Sequence, residues 1–249
     1  MFNKSPKTLK KISSFLMMAL LIVSCNEDVK LTFETQHIEK SSDAFIAINY
    51  PKAMGTKAVT EKINQQIEHV IANEMNMADT PENDISISQA VSQFDNEYKT
   101  FKQDFQDTNQ QWEVDVEGKV LYESPEVISI SLQSYIDTGG AHGNTRITYL
   151  NFNPETGALL EQNDIISNLT EFKKIAQKAF KEQTKPKDND ETIEDFFFGE
   201  EFQLPENIGF TKDGLLLLYN NYEIASYAQG VTKVVMAYDD IRGFLKVNP

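Results

Sequence analysis

The chain has 249 residues, 40% of them hydrophobic, with 38 acidic and 23 basic side chains and a formal net charge of −15. That hydrophobic share suffices for one large or two small cores and excludes a chain disordered throughout. The charge excludes the electrostatic footprint of a nucleic-acid binder, and the single cysteine excludes an intramolecular disulfide framework.

Residues 1–24 carry Lys4, Lys7, Lys10 and Lys11, no acidic residue, and the nine-residue apolar run "FLMMALLIV" at 15–23. A basic segment before a short apolar one is the layout of a secretory signal, and nine residues are too few to span a bilayer as a helix. "LIVSC" at 21–25 resembles a bacterial lipobox, with small Ser24 directly before Cys25. The resemblance implies cleavage before Cys25, a lipid on its sulfur and acylation of its new amino group, hence a membrane anchor in the bacterial cell envelope, periplasmic or surface-exposed. Cleavage removes four lysines and no acid, leaving 19 basic and 38 acidic residues and a charge of −19. Such a field steers cationic partners inward and repels anionic lipid.

Residues 26–40 read as tether and first strand, and 43–51 as a second strand ending at Pro51. A helix is predicted over 57–76, with Val59, Ile63, Ile67, Val70 and Ile71 on one face and His69 off it. The turn cluster "ADTPEND" separates it from a helix over 86–106 whose stripe is Val91, Phe94, Tyr98, Phe101 and Phe105. The period then changes to two. Trp112, Val114 and Val116 alternate with Glu113, Asp115 and Glu117, and Ile128, Ile130, Leu132 and Ile136 alternate with Ser129, Ser131, Gln133, Tyr135 and Asp137. These are half-buried antiparallel strands, partnered by 145–152, with a turn at 153–157. Asn168 and Glu171 resemble a capping box, opening a helix that buries Leu169, Phe172, Ile175, Ala176, Ala179 and Phe180. A charged surface loop (185–195) leads to short strands in 206–238 and a closing helix at 238–245. Helices and strands in runs, without βαβ alternation, give an α+β class: an antiparallel sheet packed with helices, in two associated subdomains. The modules are placed at 25–120 and 121–249, with strands allowed to cross the boundary.

The chemistry-bearing residues are few. His37, His69 and His142 are widely separated, which gives no zinc-site spacing and no metal ligand set. The acidic run from Asp188 has Thr192, Ile193 and Gly199 where a calcium loop needs a ligand, a glycine and a glutamate. No G-x-S-x-G or phosphate-binding glycine pattern occurs, and no cofactor is implied. The distinctive stretch is "SYIDTGGAHGNTRITYLNF", 134–152. Gly139, Gly140 and Gly143 are read as permitting positive φ and close approach in the connection between two strands. His142 in that connection is read as a structural or binding residue ahead of a catalytic one.

The cluster Tyr135, Gly139-Gly140-Ala141-His142, the Asn151–Gly157 turn and the stretch Tyr222-Glu223-Ile224…Tyr227…Gly230 resemble the extracytoplasmic module of RsiV-type anti-sigma factors. The same module precedes the catalytic domain of PdaC-type peptidoglycan deacetylases. The resemblance covers 138–245 well, and the region with "INYP" at 48–51 less specifically. It implies an α+β ectodomain without enzymatic activity of its own, which in the RsiV type binds lysozyme. The candidate binding residues are Tyr135, Gly139, Gly140, His142, Tyr222, Glu223 and Tyr227. The expected partner is a lysozyme-like cationic protein; the alternative is cell-wall glycan or peptidoglycan, with Tyr135, Tyr222, Tyr227 and Trp112 as stacking surfaces. A hydrolase using His142 or a carboxylate pair is the third reading.

Overall fold

The computed structural model describes residues 30–41, 43–184 and 196–249. The expected signal segment with Cys25, and the charged loop 185–195 with Asp188, lie outside the described residues. Among the described residues no helix is long and apolar enough to cross a membrane.

The first sheet holds β1 (Thr32–Lys40), β2 (Phe45–Met54), β3 (Glu113–Glu123), β4 (Ile128–Asp137) and β5 (Asn144–Phe152) in that order. Every neighbour pair is antiparallel except β2 and β3, which run parallel. A parallel pair needs a long crossover, and α1 (Lys57–Glu74) and α2 (Ile87–Asp104) supply it. Ser86 opens α2 with a full capping box, its hydroxyl accepting from Gln89 N–H and the Gln89 side chain accepting from Ser86 N–H. The helical stripes Ile63, Ile67, Ile71 and Val91, Phe94, Tyr98 bury against Ile46, Ile48, Val114, Val116, Ile130 and Leu132. Each fully buried aliphatic side chain contributes about 2 kcal/mol.

Three expectations are corrected here. β2 does not stop at Pro51 but runs to Met54. Its pairing with β3 ends at Asn49–Glu117, so Pro51 pairs only with β1 and its missing N–H costs no bond toward β3. Phe105 lies beyond the end of α2 and is 58% exposed, touching Phe101 at 4.9 Å between ring centroids. Trp112 is core: its ring packs among Phe94, Tyr98 and Phe101 at 5.2–5.7 Å, so it offers no stacking surface.

The second sheet is the antiparallel set β6 (Asn207–Thr211), β7 (Gly214–Tyr219) and β8 (Thr232–Met236). With α3 (Gln162–Ile165), α4 (Leu169–Gln183) and α5 (Tyr238–Ile241) it encloses a second core. Phe180 is the hub of that core, its ring 5.2–5.7 Å from Phe196, Phe197, Phe202 and Tyr219. The closing helix is one turn of α5 followed by a 3₁₀ turn at Arg242–Phe244. At α4 the Asn168 side chain accepts from Glu171 N–H at 3.2 Å, but the Glu171 carboxylate is engaged by Lys174 at 2.7 Å, so only half of the expected box forms. The first sheet runs through the division expected at 120–121, because β4 and β5 pair onto β3. The two cores part after Phe152, with Tyr122 of β3 and Val127 of the β3–β4 connection packed into the second core.

Asp95 on α2 is the buried charge of the first core, 1% exposed, held by Lys40 at 2.6 Å, Lys99 at 2.7 Å and the Ala44 N–H at 3.3 Å. Burial alone would raise its pKa, but the hydrogen bonds from the two lysines and Ala44 outweigh it and hold the carboxyl below its usual value. A depressed folded pKa gives stability that is fully present above the unfolded value near ~3.9 and is lost as pH falls through the folded one. Asp95→Asn is therefore expected to cost about 2–4 kcal/mol in urea unfolding at pH 7. The variant's penalty should shrink below about pH 4; a penalty independent of pH would show that the ion pairs are not its source.

Candidate functional site

The β4–β5 connection and the loop after β7 meet at one end of the molecule. Gly139 sits at φ +98°, and its N–H donates to the Asp137 carboxylate at 2.9 Å, which also accepts from Gln110 at 3.1 Å. Gly143 serves close approach, since a Cβ there would lie 2.4 Å from the Tyr135 ring. Gly140 has neither a positive φ nor a tight neighbour, its nearest atom being 3.8 Å from an added Cβ. Of the three glycines, two are therefore required by geometry.

This turn presents His142 flat on Tyr227, with ring centroids 3.8 Å apart and an interplanar angle of 19°. The Gly143 carbonyl accepts from His142 Nδ1–H at 2.9 Å and from the Tyr227 hydroxyl at 3.2 Å. That leaves Nε2 as acceptor for the Tyr222 hydroxyl at 3.5 Å. Tyr222 packs on Tyr227 at 5.6 Å between centroids. The structure thus joins His142, Tyr227, Tyr222 and, through Gly143, Tyr135 into one platform. No serine or carboxylate is hydrogen-bonded to His142 among the described residues, and Asp137 is occupied by Gly139 and Gln110. The described His, Cys, Asp and Glu side chains do not converge in threes as a metal donor set.

Tyr222 adopts φ +66° at the third position of a turn in which Glu223 N–H donates to Asn220 C=O at 3.1 Å. A left-handed backbone costs a non-glycine residue about 1 kcal/mol or more. Glu223 accepts from the Asn220 N–H at 2.8 Å. Burial of its carboxyl, opposed by that N–H and by Arg146 and reinforced by Glu206, holds it above the usual carboxylate range.

The same turn forms one end of a cleft of about 720 Å³ between the two sheets, lined among others by Arg146, Tyr149, Glu206, Asn207, Tyr222 and Glu223. Side-chain amides close the free edge of β5 inside it. Asn220 accepts from Ile147 N–H at 2.8 Å and donates to Ile147 C=O at 2.9 Å. Asn207 accepts from Tyr149 N–H at 2.7 Å and donates to Ile147 C=O at 2.5 Å. The sequence gives no periodic signal for these asparagines, which read locally as turn residues.

Beside the platform, half of the first sheet's outer face is open. The register places Glu39, Asp115 and Tyr135 in one row, Glu117 and Gln133 in the next, and Glu113 with Asp137 in a third. The helices cover the opposite face. Burial, then Asp137 and Glu113, raise the Tyr135 phenol, and burial and Glu117 raise the Asp115 carboxyl. His37 bridges this face at its β1 edge, its Nδ1 2.6 Å from Asn49 Oδ1 and its Nε2 3.4 Å from Glu39, while Asn49 donates to Glu117 at 2.6 Å.

Two alanine substitutions separate the glycine roles. Gly143→Ala is expected to lower stability by about 1–3 kcal/mol and to displace the Tyr135 ring, whereas Gly140→Ala should leave both unchanged. Urea unfolding and near-ultraviolet circular dichroism read the two effects; equal behaviour would refute the assignment.

Residues 38–145 match the family model described as "Deacetylase PdaC", and residues 159–239 match the one described as a protein of unknown function, DUF3298. Among solved structures, a DUF3298-family member from Bacteroides fragilis is 19% identical, with a TM-score of 0.65 over 89% of this chain and 96% of that one. A DUF3298-family protein from Pseudomonas aeruginosa is 17% identical, with a TM-score of 0.62 over 88% and 94%. No curated protein matches the chain significantly. At these identities the solved structures share the fold. The chain thus matches the PdaC model over its first part and the DUF3298 model over its second, consistent with the RsiV-type resemblance, and has the fold of the solved DUF3298-family proteins.

Proposed function

We propose that the chain is a lipid-anchored binding module of the cell envelope, without an enzymatic activity of its own, whose acidic open sheet face receives a lysozyme-like cationic protein. The observation that supports this reading most is the gathering of Glu113, Asp115, Glu117 and Asp137 around Tyr135 on an uncovered β-face, with Glu39 at the β1 end of the Asp115 row, beside the His142–Tyr227 stack. Carboxylates gathered around exposed aromatic surface suit lysine and arginine, which pair with the former and stack on the latter. The charge of −19 left after cleavage before Cys25 would speed the encounter. His142 acts as a brace and contact surface: its ring is stacked, its Nδ1–H is committed to a carbonyl, and no activating partner adjoins it among the described residues. A cell-wall glycan is the second partner in view, favoured only by the Tyr222–Tyr227 surface.

Calorimetric titration of the chain with egg-white lysozyme, at low and moderate salt, tests the reading. A saturable heat that survives moderate salt is expected, and in stopped-flow mixing Asp115→Lys with Glu117→Lys should slow association about tenfold. A flat trace, or an association rate indifferent to the charge reversal, would overturn it.

A further inference from the structure

The chain holds three non-glycine residues at positive φ among those described, Phe197 (+62°), Phe198 (+53°) and Tyr222 (+66°). They occupy two turns that touch: the Phe197 N–H donates to the Ile224 C=O at 2.6 Å, two residues from Tyr222. The strain at Phe197 is offset locally, because its ring is buried against Phe180, Phe202 and Tyr219. Phe198 has no such return. Its side chain is 64% exposed and pairs with no other ring among the described residues, although glycine or asparagine would hold that backbone at less cost. At Gly199, next to it at φ +85°, an added Cβ would meet no atom of the described residues within 4 Å, so their packing does not dictate the turn from that side. Tyr222 is 56% exposed and is steadied from behind by His142 and Tyr227. Backbone strain that presents an aromatic ring to solvent, twice, in two tied turns, is the signature of a contact surface and not of packing.

We propose that Phe198 and Tyr222 are the paired aromatic anchors with which the chain grips a basic protein. The proposal rests on the cationic-partner reading and assigns the interface residues within it. The chemistry of the rim selects a basic protein over a lipid surface. Glu200 and Glu201, just past Gly199, are exposed, and Glu206 and Glu223 line the cleft at Tyr222. Carboxylates around an inserting ring oppose entry into a bilayer and attract lysine and arginine. Phe198 and Tyr222 then fill apolar recesses of the partner while the acids pair at the edge, and the left-handed backbones pre-set both rings so that little freedom is lost on binding.

The test substitutes asparagine, which tolerates the left-handed backbone, at each position, and titrates the chain with egg-white lysozyme. Phe198→Asn and Tyr222→Asn should each weaken binding by about tenfold or more, with a melting temperature equal to or above that of the unchanged chain. Phe198→Trp should keep the affinity. Unchanged affinity in both asparagine variants, with Asp115→Lys and Glu117→Lys still slowing association, would overturn the anchors and leave the cationic-partner reading standing. No saturable heat from the unchanged chain would overturn both. Capture by phosphatidylcholine vesicles that Phe198→Asn abolishes would replace the protein partner by a lipid surface.

Discussion

The two sheets depend on one joint: the outward edge of β5, whose backbone bonds to asparagine side chains instead of a sixth strand. Asn220 and Asn207 satisfy the N–H and C=O of Ile147 and the N–H of Tyr149. The exchange runs both ways. Asn151 of β5 donates to the Ile208 carbonyl of β6 at 2.8 Å, and the Ser129 hydroxyl of β4 accepts from the Phe210 N–H at 3.1 Å. Gly209 lets the strands approach, since a Cβ there would strike the Tyr149 ring at 2.8 Å. Burying unpaired backbone groups costs about 1–3 kcal/mol each, so this polar seam enforces one docking geometry where an apolar contact would permit sliding. It also blunts a strand edge that would otherwise template pairing with another chain.

The aromatic platform is a consequence of that joint. His142 comes from the β4–β5 connection, whereas Tyr222 and Tyr227 come from the loop between β7 and β8. Neither half forms the surface alone. The Gly143 carbonyl, accepting from both His142 and Tyr227, is the local tie, and Asn220 anchors the base of the Tyr222 turn to β5. The left-handed turn at Tyr222 is therefore held between two fixed points, which is how a strained residue persists in a folded chain.

The sequence makes the elements legible wherever one face is apolar and the other wet. Ile63, Ile67 and Ile71 mark α1, and the alternation from Trp112 to Glu117 marks β3, because burial imposes the period directly. Phe105 and Pro51 mislead for opposite reasons. A helical stripe continues on paper past the point where α2 loses its sheet, and a proline reads as a stop although its strand is paired only on the edge side there. The parallel β2–β3 pair is invisible, since strand direction depends on where the crossover helices land. The site is half legible. Tyr135, His142, Tyr222 and Tyr227 stand out as residues, but their convergence depends on the docking of two sheets. The asparagines that produce it carry no period, and neither does the left-handed backbone at Phe197 and Phe198.

A surface assembled across a joint has a thermodynamic property that a surface on one element lacks. Any partner that contacts both His142 from the first sheet and Tyr222 or Tyr227 from the second binds only the docked arrangement. Its binding free energy is then linked to the docking equilibrium, adding RT ln(1 + [L]/Kd) to the stability of the joint, about 2.7 kcal/mol at a hundredfold excess over Kd. The converse follows by the same linkage: whatever loosens the Asn207–Asn220 seam weakens the partner's hold without touching a contact residue. Cores that are separate, a seam that is polar and a platform that spans it therefore form one system, in which docking and recognition are the same equilibrium viewed from two sides.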